Sequence, residues 1–284
     1  MQYTPSHLNF YILSGYCNAR CIMCPVHESE KVIMSWEDYT GVVDNCANHV
    51  DKVEFFTLSA MGEPLMHKDV VRMVEYARDK GFKNLGMITN ASLLTPEKSR
   101  QLIEAGLNTL MISIDAATEE SYARLEKGFK LADIQENVKG FIAARDELGK
   151  PARVIVKFLQ QDANEGEWPQ FKEFWEQHTD PEKRDEIVKT GLHNWGGQLS
   201  ENVNQAKVLC KELQKYLHVS PTGEAMLCCA APAEKFHHGN LLSDDMMELY
   251  NCEYFSRFRR GFLNKDQPLI EPCDKCNFPV EYGY

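Results

Sequence analysis

Three cysteines near the start of the chain carry the first chemical signal: Cys17, Cys21 and Cys24, spaced C-x3-C-x2-C. Three thiolates on one short loop can hold three irons of a [4Fe–4S] cluster and leave the fourth iron open to a substrate or cofactor. Structural zinc competes for the same residues, but it wants four closed ligands, and only His27 is near enough in sequence to be the fourth. A second group, Cys210, Cys228, Cys273 and Cys276, ends in C-D-K-C, whose two-residue spacer suits two bonds to one metal or cluster. Four thiolates would ligate a cluster completely, and zinc is a stronger competitor here, because four-cysteine zinc sites are common. Cys229 adjoins Cys228 and is the alternative ligand at that position. Cys46 reads as a small core residue. Cys252 reads as core packing or, more sharply, as a hydrogen-atom donor.

The elements that must position these groups follow from apolar periodicity. Residues 8–13, 53–58, 84–89, 108–114, 153–159 and 186–192 are short apolar runs expected as strands. Helices are expected between them. Ser35 caps 36–48, and a stripe of Val70, Val71, Val74 and Ala77 runs along 67–80 before Gly81. Thr95–Pro96 opens a helix that Gly106 stops, Thr118 begins another near 119–127, residues 133–148 end at Gly149, and 167–178 close the series. Trp168, Phe171, Phe174 and Trp175 share helical spacing and are expected in the core.

Six strand–helix units predict an α/β fold with a parallel sheet. They are too few for an eight-unit barrel, so the expectation is a partial (β/α)6 TIM-like barrel with its site at the C-terminal strand ends. The pattern changes near residue 196, where GGQLSENVNQ reads as a linker. A hairpin from 215–219, the turn 220–223 and 224–229 follows, then a helix over 245–260 capped by 243–245 and stopped by Gly261. The expected division is a barrel domain over 1–199 and a small α+β unit over 200–284. His237 and His238 are expected to be solvated in a hairpin loop, and Arg257, Arg259 and Arg260 on a solvated helix face.

Composition narrows the partners. The 284 residues carry 31 basic and 42 acidic side chains, a formal charge of −11, which disfavours nucleic acid or an anionic membrane as the main partner. No apolar run approaches the ~18 residues of a spanning helix, and the first residues lack a basic segment before their apolar stretch. The expectation is a cytoplasmic protein whose ten cysteines serve metal or redox chemistry and not disulfides.

A C-x3-C-x2-C triplet after strand one of a six-unit β/α chain resembles the radical S-adenosylmethionine (SAM) enzymes. Ala60-Met61-Gly62-Glu63-Pro64 after strand two is similar to that family's GGEP motif, with Ala-Met in place of Gly-Gly. The resemblance implies that Gly62, Glu63 and Pro64 meet the methionine ammonium of SAM. It places Thr89 and Asn90 at the end of strand three, Ser113 and Asp115 at the end of strand four and Lys157 on strand five as SAM contacts. It puts Met23 where the family usually has an aromatic residue near adenine. His193 opens His193-Asn194-Trp195-Gly196-Gly197, which resembles a segment recurrent in relatives with a C-terminal cluster domain. The tail from Cys210 to Cys276 resembles the SPASM/twitch appendage in its one-cluster form, with the domain order of aminocyclitol-oxidising members.

The implied cofactors are SAM, a SAM-binding [4Fe–4S] cluster and an auxiliary [4Fe–4S] cluster, with flavodoxin or ferredoxin as electron donor. The implied reaction cleaves SAM reductively, abstracts a substrate hydrogen and oxidises a small polar substrate such as a sugar or aminocyclitol. Strand one begins by residue 8, with no peptide-binding domain ahead of it, which favours a small molecule over a short peptide. Epimerisation with Cys252 as donor and peptide crosslinking are the competing reactions.

Overall fold

The computed structural model describes residues 2–200, 210–231, 235–264 and 268–278. All six apolar runs form strands: β1 (His7–Tyr16), β2 (Phe55–Gly62), β3 (Leu85–Thr89), β4 (Thr109–Ser113), β5 (Arg153–Gln160) and β6 (Glu186–Gly191). They pair in parallel and in chain order, β1-β2-β3-β4-β5-β6, so each helix is a crossover between neighbours. The result is the open, partial barrel expected from six units.

The helices lie where their caps put them. Ser35 accepts the Asp38 N–H at the start of α1 (Trp36–Ala47), and Thr95 does the same for Lys98 at α3 (Pro96–Ala105). In α2 (Val70–Asp79), Met73, not Val71, completes the buried stripe with Val70, Val74 and Ala77. This helix also begins three residues later than its periodicity suggests, because Pro64–Met66 forms a separate 3-10 turn. Thr118 caps α4 (Glu119–Leu125), and Gly149 ends α5 (Leu131–Leu148) with left-handed φ. In α6 (Trp168–Glu176), Phe171 and Trp175 are fully buried and Trp168 and Phe174 partly so.

Alternation along β1 sorts its side chains. Phe10 stacks on Phe56 at 4.6 Å and meets Tyr39 of α1 edge-on at 5.9 Å, so Leu8, Phe10 and Ile12 face the helical layer. Asn9 and Tyr11 therefore face the barrel interior, beside Ser59 of β2.

The C-terminal part departs from expectation in four ways. First, its hairpin is not a separate sheet. The short helix α7 (Lys211–Lys215) leads into β7 (Tyr216–Val219), which pairs in parallel with β1, Asn9 against His218, and so extends the barrel sheet. Second, β8 (Glu224–Met226) ends early, and His237 and His238 lie in a third strand, β9 (His237–Asn240), not in a loop. Third, the expected single helix is broken. α8 (Met246–Asn251), capped by Asp245, gives way at Cys252 to α9 (Glu253–Leu263). The backbone of Cys252 is extended there (φ −62, ψ 165), and Gly261 sits inside α9, not past its end. Fourth, Arg259 is buried, donating from Nε to the Leu213 carbonyl and from a terminal nitrogen to the Tyr250 carbonyl, each at 2.7 Å. Of the expected linker over 196–205, residues 201–205 lie outside the described residues. Among the described residues no helix is long and apolar enough to cross a membrane.

Candidate functional site

The cysteine loop leaves β1 at its C-terminal end and is bolted to its neighbours. Gly62 makes the first bolt. A Cβ there would sit 1.9 Å from the Tyr16 carbonyl oxygen, and the Glu63 N–H donates to that same oxygen at 2.9 Å. The GEP turn is thereby pressed against the residue before Cys17, with Gly62 at φ +155. Gly62→Ala is expected to destabilise the fold by about 3 kcal/mol or more, because the obstacle is backbone and not a side chain that can swing away. Urea denaturation measures this, and an unchanged midpoint would contradict the contact.

Glu63 is the second bolt. Its buried carboxylate accepts the Leu65 N–H (3.0 Å), the Thr89 hydroxyl (2.7 Å) and the Asn90 N–H (2.8 Å), which ties the end of β2 to the end of β3. Asn90 in turn donates to Asn18 Oδ1 at 3.1 Å and approaches Cys17 Sγ at 4.0 Å. On the other side, Arg20–Cys21 pairs with Glu126–Lys127, and the Ile22 N–H donates to the Leu125 carbonyl at 3.0 Å. Met23 is buried against Leu125 and Leu159, and its carbonyl accepts the Trp195 indole N–H at 3.0 Å.

Asp115 and Lys157 complete this mouth. Ser113 is in register with Lys157 across β4 and β5. The Asp115 carboxylate accepts the Leu159 N–H at 2.7 Å, in a left-handed backbone conformation (φ 50). Burial raises its carboxyl to about 6 against the opposing pull of the Lys157 charge. Burial, then the same Lys157 charge, pushes the His193 imidazole down to about 3, so it is neutral in the folded chain at pH 7. An unfolded histidine titrates near 6.5. The folded chain therefore binds fewer protons between these values, and this contribution to stability is lost as pH falls through that window. The urea midpoint is expected to decline below about pH 6.5, and less steeply in His193→Phe. Superimposable profiles for the two proteins would refute the assignment.

The four C-terminal cysteines of the expected set, Cys210, Cys228, Cys273 and Cys276, line one cavity together with Gly196, Glu212 and apolar side chains. Cys229 does not line it, and its thiol instead donates to Glu212 Oε2 at 3.7 Å. The segment opened by His193 joins this cavity to the cysteine loop. Trp195 holds Met23, Gly196 forms the cavity wall, and Asn194 exchanges backbone-to-side-chain hydrogen bonds with Asn277 (2.7 and 3.3 Å). Sequence reasoning noted the segment but missed its partner Asn277, whose signal was its position directly after Cys276. It also missed Glu126 and Tyr122 near Cys21, each with a buried oxygen that has no hydrogen-bond partner among the described residues.

Cys252 is not brought to the mouth. Its neighbour Asn251 exchanges two hydrogen bonds with Tyr3, ahead of β1 and so at the N-terminal end of the strands (2.7 and 2.9 Å). The ten residues of β1 put about 30 Å between that end and the cysteine loop.

The donor sets fit iron–sulfur clusters. All ten cysteines are free. In both groups sulfurs are acceptors of backbone N–H bonds, as cluster thiolates are: Ala19 to Cys17 at 3.4 Å, Phe278 to Cys276 at 3.4 Å, with Val26 to Cys24 and Leu213 to Cys210 alike. Burial pushes Cys17 up to about 11 and Cys210 up to about 12, so without a cation these are neutral thiols, and loading a metal releases their protons. A single zinc ion is disfavoured at the first group because its donors are spread too widely: among the described residues the only group of three or more His, Cys, Asp or Glu donor atoms within 4.8 Å of one another is that of Glu212, His218 and Cys229.

The comparisons decide the family. The radical SAM superfamily model matches residues 11–155 and the SPASM iron–sulfur cluster-binding domain model matches residues 210–277. The chain belongs to the radical SAM superfamily. Radical SAM enzymes with a SPASM domain use SAM, a SAM-binding [4Fe–4S] cluster and auxiliary iron–sulfur clusters, and they need a reductant. The chain is 30% identical over 162 residues to the GTP 3′,8-cyclase of Geobacter sulfurreducens, covering 55% of this chain and 47% of that protein. It spans about half the length, or less, of the curated relatives it matches first. Among solved structures it resembles BtrN in complex with AdoMet and 2-DOIA (TM-score 0.64, 17% identity, 98% of this chain and 94% of that one). It also resembles Streptococcus suis SuiB bound to precursor peptide SuiA (TM-score 0.69, 15% identity, 90% and 67%). These two likenesses establish a shared fold.

Proposed function

We propose that this radical SAM protein oxidises a small polar substrate of the sugar or aminocyclitol kind. Cys17, Cys21 and Cys24 hold the SAM-binding cluster, and Cys210, Cys228, Cys273 and Cys276 the auxiliary one. The observation that carries this reading is the second cavity. Four cysteines around one space satisfy all four irons, so no iron is left to bind substrate and electron transfer is the role that remains. With both clusters and SAM in place, the cofactors supply hydrogen-atom abstraction from carbon and an acceptor for the electron that the substrate then gives up.

The chain's own residues position and shield. Gly62, Glu63 and Pro64 fix the turn that meets SAM, with Thr89 and Asn90 holding Glu63. Ser113, Asp115 and Lys157 line the far side of the mouth. Met23, Trp195 and His193 close the space between the two cysteine sites. The polar interior wall of Asn9, Tyr11 and Ser59 suits a hydroxylated substrate better than an apolar one. The likeness to BtrN, whose structure holds AdoMet and 2-DOIA, supports the same class. Flavodoxin or ferredoxin is the proposed electron donor.

Overall, a secondary alcohol would become a ketone by giving up one hydrogen atom, which SAM chemistry would take up, one proton to solvent and one electron to the auxiliary cluster. Anaerobic assay of candidate sugars and aminocyclitols should therefore give 5′-deoxyadenosine with a product about two mass units lighter. Products of unchanged mass only would overturn the oxidation.

A further inference from the structure

We infer that Glu212, His218 and Cys229 form a separate site for one divalent ion of the zinc class, in the wall between the auxiliary cavity and the barrel interior. The inference does not depend on the reaction proposed above. One oxygen, one nitrogen and one sulfur donor converge there, with their ligand atoms all within 4.8 Å of one another. His218 Nε2 lies 2.9 Å from Glu212 Oε2, and Cys229 Sγ lies 3.7 Å from that same oxygen. Glu212 and His218 are buried, at 5% and 1% exposure. Mixed nitrogen, sulfur and oxygen donors are the set a borderline ion such as Zn²⁺ accepts, and three protein ligands leave one tetrahedral position for water.

The surroundings supply the support that a metal-bound histidine needs. His218 Nδ1 lies 3.2 Å from the Asn9 side-chain amide, and Asn9 is itself anchored by the Ser59 hydroxyl at 2.6 Å. With Nε2 on a metal, Nδ1 carries the proton and requires an acceptor. The Asn9 amide provides one by turning end for end, a change that keeps its shape. Ser59 Oγ then accepts from the Asn9 nitrogen and donates to the Phe10 carbonyl, 3.4 Å away. The pairing of Asn9 with His218 across β1 and β7 fixes this geometry in the sheet, not in a loop. None of the three ligands is one of the four cavity cysteines: Glu212 stands in the cavity wall beside them, and Cys229 does not line the cavity.

The test uses the full chain with both clusters reconstituted anaerobically, then incubated with ZnCl₂ and desalted. The expected result is one zinc retained per chain with iron unchanged at about eight. Zinc K-edge absorption should show one sulfur at about 2.3 Å and the remaining scatterers, nitrogen or oxygen, near 2.0–2.1 Å. Cys229→Ser should remove the sulfur signal, and Asn9→Ala should weaken zinc binding about 10- to 100-fold. His218→Gln should abolish retention; if that variant does not fold, Cys229→Ser decides alone. The proposal is overturned if no zinc is retained, if zinc shows a four-sulfur environment with iron lost, or if the Cys229→Ser spectrum equals the wild-type one.

Discussion

Cys21→Ala is expected to leave a folded chain with about four irons where the wild type holds about eight, and to reduce 5′-deoxyadenosine formation to background. The loop geometry is the reason. Cys21 is paired to Glu126 in a short ladder, and the Cys24 N–H donates to the Cys21 carbonyl at 3.3 Å, so backbone contacts hold the loop whether or not the thiol is present. The fold should therefore survive while the cluster loses one of its three ligands. Iron and sulfide analysis, with chromatographic measurement of 5′-deoxyadenosine under dithionite, checks both halves. Retention of about eight irons, or undiminished SAM cleavage, would remove Cys21 from the ligand set.

Cys228→Ala and Cys229→Ala are expected to differ sharply. Only Cys228 shares the cavity with Cys210, Cys273 and Cys276. Its loss should remove the auxiliary cluster and cut iron to about four per chain, while SAM cleavage at the first site persists. Cys229→Ala should keep about eight irons, because its thiol is turned toward Glu212. The contrast also tests the proposed reaction. The Cys228 variant should cleave SAM yet fail to release oxidised product, since the electron has no acceptor. Equal iron loss in both variants, or loss only with Cys229→Ala, would reverse the ligand assignment.

Much of this was legible in the sequence because it is written in local patterns. The six strands and the caps at Ser35, Thr95 and Thr118 depend on alternation and on one side chain reaching one nearby N–H, which neighbours in sequence suffice to specify. The C-x3-C-x2-C triplet is equally local. The errors fall where distant contacts override local preference. Residues 245–260 have the periodicity of one helix, yet the chain breaks at Cys252, where Asn251 is pinned to Tyr3, 248 positions away. Arg259 has the look of a solvated cation, but it is drawn inward by the carbonyls of Leu213 and Tyr250 and by the ring of Tyr250 at 4.1 Å. The hairpin reads as an independent unit because nothing local reveals that β7 pairs with β1.

The count of ten cysteines and the two spacings by themselves limited this chain to metal or redox chemistry and marked where along the sequence the candidate ligands lie, with zinc still open at the second group; the family resemblance singled out iron–sulfur clusters. Thiol spacing on a short loop constrains geometry without help from the rest of the fold. Which of two adjacent cysteines faces the second cavity, and that Cys252 lies at the opposite end of the barrel, only the tertiary structure decided. Adjacent residues after a strand point to different sides, and the side that matters is set by what packs there: Cys273 and Cys276, brought from about fifty residues away along the chain, for Cys228, and the Glu212–His218 pair for Cys229.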